Sequence, residues 1–270
     1  MADSALRSSH PVVLETQNLT KMFGGLTAVN AFDAQVHRGE ICSIIGPNGA
    51  GKTTVFNAVT GIYTPEKGRI VFNGNDITGH KPHHIVAAGI ARTFQNIRLF
   101  PTMTCMENIM AGHHCRISSG LWGTLFRSSG QKREEEETRS IAESRIRQVR
   151  LWDYRHELAR NIAYGSQRMV EIARALATDP TLLVLDEPSS GLNPRETEEL
   201  MEFLTGLIKE EDITILLIEH DMNVVMGISD WVIVMDEGRK IAEGGPDQIY
   251  HNPRVIEAYL GSDDRQAHQE

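Results

Sequence analysis

A chain of 270 residues with a formal net charge of −9 has room for one α/β domain with a modest insertion, or for two small domains sharing an interface. Its acidic balance, without a basic domain of clustered Lys and Arg, argues against nucleic acid as a partner. The three cysteines, Cys42, Cys105 and Cys115, form no CxxC pair and are too scattered for a disulfide framework, which predicts buried or free thiols in a reducing cytosol. No run reaches the roughly 18 apolar residues of a membrane span and the N-terminus lacks a signal-peptide core, so a soluble or peripheral protein is expected.

In chain order, Val12 to Leu19 and Leu26 to Val36 read as strands of an edge sheet around the Phe23-Gly24-Gly25 turn, and Arg38-Gly39 leads into the apolar strand Ile41 to Ile45. The next segment, Gly46 to Thr54 or GPNGAGKTT, has the spacing Gly, four residues, then Gly-Lys-Thr. Gly46, Gly49 and Gly51 let the backbone turn its amides onto phosphate oxygens, and Pro47, Asn48, Ala50 and Thr54 complete the loop. Lys52 is expected to reach the outer phosphates, and the Thr53 hydroxyl to help hold a bridging magnesium. The alternative is a plain glycine-rich connector. Kinases, GTPases, helicases and transport ATPases all share this cradle, so its presence leaves the type of nucleotide machine open.

Beyond it, a helix through Thr60 stops at Gly61, Arg69 to Phe72 enters an Asn73-Gly74 turn, and Pro82 opens a short helix to about Ala88. His83-His84 reads as surface rather than metal ligand, because neighbours on a helix diverge. From Phe100 to about Thr178 the pattern is helical, with Met106 to Gly112, Glu134 to Val149 and Gln167 to Ala177 at the helical period. Within it, His113-His114-Cys115 reads as structural, Ser118 to Gly130 as a mobile loop, and Glu134 to Glu137 as a solvated face. Leu182 to Leu185, Thr214 to Ile218 and Trp231 to Met235 are short apolar runs separated by helical patterns, as in a parallel sheet. The polar ends, Met1 to Pro11 and Ser262 to Glu270, are expected to fray. The division predicted is a single domain over 1–270, with residues 12–99 and 179–261 as core plus edge sheet and 100–178 as a helical subdomain.

Asp186-Glu187 closes the Leu182 run, placing two carboxylates at the C-terminal end of a buried strand, where open α/β sheets bind ligands. Asp186 suits the magnesium shell, and Glu187 suits the water that attacks a γ-phosphate.

With these motifs in order, the sequence resembles the ATP-binding subunit of ABC transporters from about Leu14 to Gly261. Phe23 stands where that family has an adenine-stacking aromatic, Gln95 in RTFQN where it has the Q-loop glutamine, and Ala163, Tyr164, Gly165, Ser166 and Gln167 in AYGSQR at its signature. Ser190-Gly191-Leu192-Asn193 matches the D-loop, and His220 in IEHD the switch histidine. The resemblance implies a RecA-like P-loop core with an antiparallel edge sheet and an inserted helical subdomain, binding ATP and Mg2+. It also implies head-to-tail pairing, in which the signature helix of one subunit meets the nucleotide on the other. Gln95 then senses metal and water, and His220 holds the γ-phosphate and orients water. Several positions depart from the family pattern: Ile162, Ala163, Tyr164, Gly165 and Ser166 stand where the common signature begins Leu-Ser-Gly-Gly-Gln, so the signature serine is absent while Gly165 remains; Asn193 replaces the D-loop aspartate, and Phe23 replaces the commoner tyrosine.

Those variants, with ARTFQNIRLF, LLIEHDM and NPRVIEAYLG, resemble one branch, the branched-chain amino-acid uptake ATPases of the LivG type. That likeness implies a second, LivF-like ATPase or a second copy of the chain, two membrane permeases, an extracytoplasmic binding protein, and a place on the cytoplasmic face of the plasma membrane. Urea or amide importers, lipopolysaccharide exporters and soluble ABC ATPases of DNA repair or translation stand as alternatives. A simple P-loop kinase leaves the signature stretch and His220 without a task.

Overall fold

The computed structural model describes residue 7, residues 10–113 and residues 129–266. Strands β1 (Val12–Phe23) and β2 (Leu26–His37) pair antiparallel about the Gly24-Gly25 turn. β3 (Ile41–Ile45) is buried at every position, as its unbroken apolar run requires in a sheet covered on both faces. The chain then turns through the glycine-rich loop into α1 (Lys52–Val59). β4 (Lys67–Phe72) and β5 (Asn75–Asp76) complete an antiparallel sheet of order β2-β1-β4-β5. Asn73 and Gly74 join them at φ 47° and 76°, the left-handed pair that a two-residue hairpin turn needs.

α2 (Pro82–Ala88) begins on proline and ends at Gly89, and β6 (Ile90–Arg92) comes directly after. Three helices are then inserted, α3 (Cys105–His113), α4 (Ser129–Gln148) and α5 (Tyr164–Leu176). They share a core of their own in which Ile109, Ile146 and Val170 are fully buried. The chain returns through β7 (Leu182–Asp186), α6 (Pro194–Glu211), β8 (Thr214–Ile218), α7 (Met222–Ile228) and β9 (Trp231–Asp236). It closes with β10 (Arg239–Gly244), α8 (Pro246–Tyr250) and α9 (Pro253–Gln266). The second sheet runs β10-β9-β3-β8-β7-β6, parallel except at the β10–β9 edge. Parallel neighbours bring their C-terminal ends to one side, so the loops after β3, β6, β7 and β8 share a single rim.

Several expectations need correction. α5 starts at Tyr164, three residues before the Gln167 start expected, because Gly165 sits inside the helix without a left-handed φ. The C-terminal stretch expected to fray from Ser262 continues α9 to Gln266. At the other end, Arg7 is docked: its guanidinium pairs with Glu40 at 2.9 Å and lies 4.2 Å from the centroid of the Trp231 ring. Ser129 and Gly130 belong to α4, not to a loop, while residues 118–128 of that expected loop, together with His114 and Cys115, lie outside the described residues. His83 and His84 are exposed, and His113 lies 3.3 Å from the Ala177 carbonyl. Among the described residues no helix is long and apolar enough to cross a membrane.

Candidate functional site

The loop from Gly46 to Gly51 is shaped by sterics at its two ends. Gly46 has φ 150° and Gly51 φ 98°; a Cβ at the first would stand 2.0 Å from the Met235 carbonyl oxygen, and at the second 2.5 Å from that of Ala28. No side chain fits at either place. Gly49, at φ 79°, has open space where its Cβ would be. Gly51 caps α1 without a side-chain hydrogen bond, which leaves the first amides of the helix free of a competing side-chain acceptor. Lys52 is buried and lies back across the loop, its Nζ donating to the carbonyls of Gly46 at 2.7 Å and Pro47 at 3.0 Å. Burial lowers its pKa from the usual lysine value, against the pull of nearby Glu187 and Asp186.

The rim assembles the remaining predicted groups. Glu187 follows β7 with φ 47°, a left-handed conformation that is uncommon for a residue with a side chain and that clusters at functional sites. Its Oε2 accepts from Gln95 Nε2 at 2.9 Å and lies 3.5 Å from His220 Nδ1. One carboxylate oxygen is thus shared by the loops after β6, β7 and β8. Asp186 is buried, and its Oδ2 accepts from Arg92 Nη2 at 2.8 Å. Asn48, Thr53 and Gln95 are exposed.

These residues fit a polyphosphate with magnesium. Uncapped helix amides and an ammonium meet phosphate oxygens, and Thr53, Gln95 and Asp186 offer only hard oxygen donors toward a metal. Among the described residues no cluster of three or more His, Cys, Asp or Glu forms a metal site by itself. That suits magnesium, which is held by one or two carboxylates plus substrate phosphates and keeps several waters.

Phe23 ends β1, 42 % exposed, and meets Tyr63 edge-on with ring centroids 5.1 Å apart. Lys21 lies 5.3 Å and 5.9 Å from the two centroids while held by Glu66 and the Thr64 carbonyl. Tyr63 carries no signal in the sequence, where it follows Gly61-Ile62 without a motif around it.

The signature stretch lies apart from the loop. Ala163 is the N-cap of α5 and offers no side-chain cap bond. Gln167 donates to Ile162, and a Cβ on Gly165 would stand 2.5 Å from Glu196 Oε1. A Cβ on Gly191 would stand 2.9 Å from the Tyr164 ring. Among the described residues no hydrogen bond or ion pair joins residues 163–167 to residues 46–54. Asn193 caps α6: its Oδ1 accepts from the Glu196 amide, and Glu196 Oε2 accepts from the Asn193 amide, both at 3.0 Å. Asparagine and aspartate are both good helix caps, so the cap at this position does not depend on which of the two is present.

Two further groups lie inside the AYGSQR and IEHD motifs, where no role was read for them. Arg168, with no exposed surface, donates to the carbonyls of Phe94 and Gln95, both at 2.7 Å, and to Glu171 at 2.8 Å. Its signal was a charged pair at i, i+3 on the apolar face of α5. Glu219 is fully buried and accepts from the Ser189 amide at 2.9 Å, so it ties the end of β8 to the turn after Glu187.

A family model for ABC transporters matches residues 29–190, and one for branched-chain amino acid ATP-binding cassette transporters matches residues 239–265. The chain is 45% identical over 249 residues to the high-affinity branched-chain amino acid transport ATP-binding proteins BraF of Pseudomonas aeruginosa and LivG of Escherichia coli K12, covering 92% of this chain and 98% of each relative. Among solved structures, a nucleotide-free ATP-binding cassette from an ABC transporter superposes with TM-score 0.81 at 33% identity, covering 92% of this chain and 99% of that one. The ADP conformation of an ATP-binding cassette gives 0.81 at 32% identity, with 93% and 99% covered. Sequence and overall fold are thus those of ATP-binding cassettes, and the chain belongs to the ATP-binding subunits of the ABC transporter family, whose enzymatic activity is ATP hydrolysis.

Proposed function

We propose that the chain is the ATP-hydrolysing subunit of an importer for branched-chain amino acids. The convergence of Gln95 and His220 on Glu187 Oε2 carries the catalytic part of this reading. Glu187 Oε2 accepts from Gln95 and has His220 Nδ1 3.5 Å away, which supports Glu187 as the group that takes the proton of an attacking water. His220 orients that water and the γ-phosphate, Gln95 positions Glu187, and Lys52 with the amides from Gly46 to Thr54 binds the phosphates. Thr53, Gln95 and Asp186 would hold magnesium, which would supply neutralisation of charge on the phosphate oxygens. Phe23 and Tyr63 flank the adenine.

The uncapped start of α5, joined to the P-loop by no hydrogen bond or ion pair among the described residues, supports head-to-tail pairing, with Ala163 to Gln167 serving nucleotide on a second ATPase subunit or a second copy. Two membrane permeases and an extracytoplasmic binding protein complete the machine, with this subunit at the cytoplasmic face of the membrane. Residues 12–99 and 179–261 act as core with edge sheet and 100–178 as the helical subdomain; the separate core of α3, α4 and α5 supports that division. The names of the relatives, and the family match at residues 239–265, favour amino acids over urea, amides or lipopolysaccharide.

Deleting the gene and following uptake of radiolabelled leucine tests the substrate. Uptake is expected to fall and to return with the intact gene but not with Glu187→Gln. Undiminished leucine uptake in the deletion strain overturns the amino-acid reading, and co-purification with ribosomes or DNA instead of membrane subunits overturns the transporter reading.

A further inference from the structure

Asp186 sits at the end of β7 with almost no exposed surface, and an uncompensated carboxylate in such a place is costly. Lys52, the motif cation, turns its Nζ to the Gly46 and Pro47 carbonyls. The cation that answers Asp186 is Arg92, from the neighbouring strand β6, with side-chain exposures of 8% and 6% for the two partners. The other terminal nitrogen of Arg92, Nη1, donates to Asn57 Oδ1 at 2.7 Å and Thr60 Oγ1 at 2.9 Å. Both lie on the helix that the P-loop opens, Asn57 within α1 and Thr60 as its C-cap. The guanidinium face lies 5.1 Å from the Phe94 ring centroid and 6.0 Å from that of Phe56, while its Nε is buried without a hydrogen-bond partner. Arg92 is therefore fixed in orientation and bridges the P-loop helix to the carboxylate. A lysine, with one nitrogen, has no such fork.

The ion pair uses one oxygen of Asp186, Oδ2, and leaves Oδ1 outside it. We propose that Arg92 is a positioning residue for the metal: it pins Asp186 by Oδ2 to the P-loop helix, so that Oδ1 is held ready for the magnesium that accompanies ATP. This rests on the reading of Asp186 as the metal-shell carboxylate. Groups that orient a ligating carboxylate typically govern metal affinity by about 10- to 100-fold.

The test is binding of a fluorescent ATP analogue to the full-length chain across a magnesium titration and in EDTA. For Arg92→Met, the magnesium concentration giving half of the metal-dependent gain in affinity is expected to rise about 10- to 100-fold, with affinity in EDTA unchanged. Arg92→Lys is expected to fall between this variant and the parent. Asn57→Ala, which releases one arm of the guanidinium and keeps the ion pair, is expected to shift the titration less and in the same direction. A magnesium titration of Arg92→Met that overlies the parent's overturns the proposal. So does an equal loss of affinity with and without magnesium, the mark of a merely structural role. If Arg92→Met does not fold, Asn57→Ala decides, and an unshifted titration there overturns it. A parent chain whose affinity ignores magnesium removes the reading of Asp186 itself, and the role of Arg92 with it.

Discussion

Gln95 Nε2 donates to Glu187 Oε2 at 2.9 Å, joining residues 92 positions apart in sequence. The bond ties the loop after β6, whose backbone is held by Arg168 of α5, to the carboxylate expected to act as base. Glu187→Gln keeps the side-chain volume and removes the base. In the assembled transporter, steady-state ATP hydrolysis is expected to fall by about 10²- to 10⁴-fold, the usual contribution of a general base, with ATP affinity retained. Turnover near the parent's would remove Glu187 from that role.

Lys52→Ala acts on binding instead. The ammonium is expected to exchange its two loop carbonyls for phosphate oxygens when nucleotide arrives, and hydrogen bonds to charged groups are worth about 1.5–3 kcal/mol. ATP affinity is expected to drop about 10- to 100-fold, measured by calorimetry on the isolated chain. Unchanged affinity would count against the cradle.

How much of this was legible depended on what each residue needs to declare itself. β3, β7 and β8 announced themselves because strands buried on both faces must be apolar throughout. β6, with only three residues, is too short for any periodicity to register. The P-loop was readable because Gly46, Gly51, Lys52 and Thr53 stand at a fixed short spacing, although the backbones that crowd Gly46 and Gly51, at Met235 and Ala28, lie elsewhere in the chain. Arg92, Arg168 and Glu219 lie inside RTFQN, AYGSQR and IEHD, yet their roles were not readable, because Asp186, the Phe94 and Gln95 carbonyls and the Ser189 amide that they hold are distant in sequence; Tyr63 has no motif around it. Asn193 shows the intermediate case. Asn-Pro followed by Glu at the third helical position is a complete cap signal, masked because the same asparagine also reads as a D-loop variant.

Tyr63, edge-on to Phe23 at 5.1 Å, is expected to extend the proposed base platform beyond the single aromatic the sequence offered. Aromatic pairs contribute about 0.5–1.5 kcal/mol beyond buried area, so Tyr63→Ala is expected to weaken ATP binding about 2- to 12-fold. Inorganic triphosphate, which has no base, serves as the control and is expected to bind unchanged. Equal losses for both ligands would place Tyr63 in the support of the fold rather than beside adenine.

Arg168 gives the largest stability prediction. Its guanidinium is fully buried, satisfies the Phe94 and Gln95 carbonyls, and pairs with Glu171, whose other oxygen accepts the Arg98 amide at 3.0 Å. Burial alone raises the Glu171 pKa, opposed by the Arg98 amide and by Arg168 and Arg174. Arg168→Met strands a buried carboxylate, a change that typically costs about 3–5 kcal/mol. Adding Glu171→Met removes that charge and is expected to recover part of the loss. Recovery stays incomplete, since the Phe94 and Gln95 carbonyls and the Arg98 amide remain without partners at about 1–3 kcal/mol each. Urea denaturation of the parent, single and double variants measures both steps. A single variant within about 1 kcal/mol of the parent, the scale of an ordinary substitution, would show that the loop finds other partners and that Arg168 does not hold it to α5.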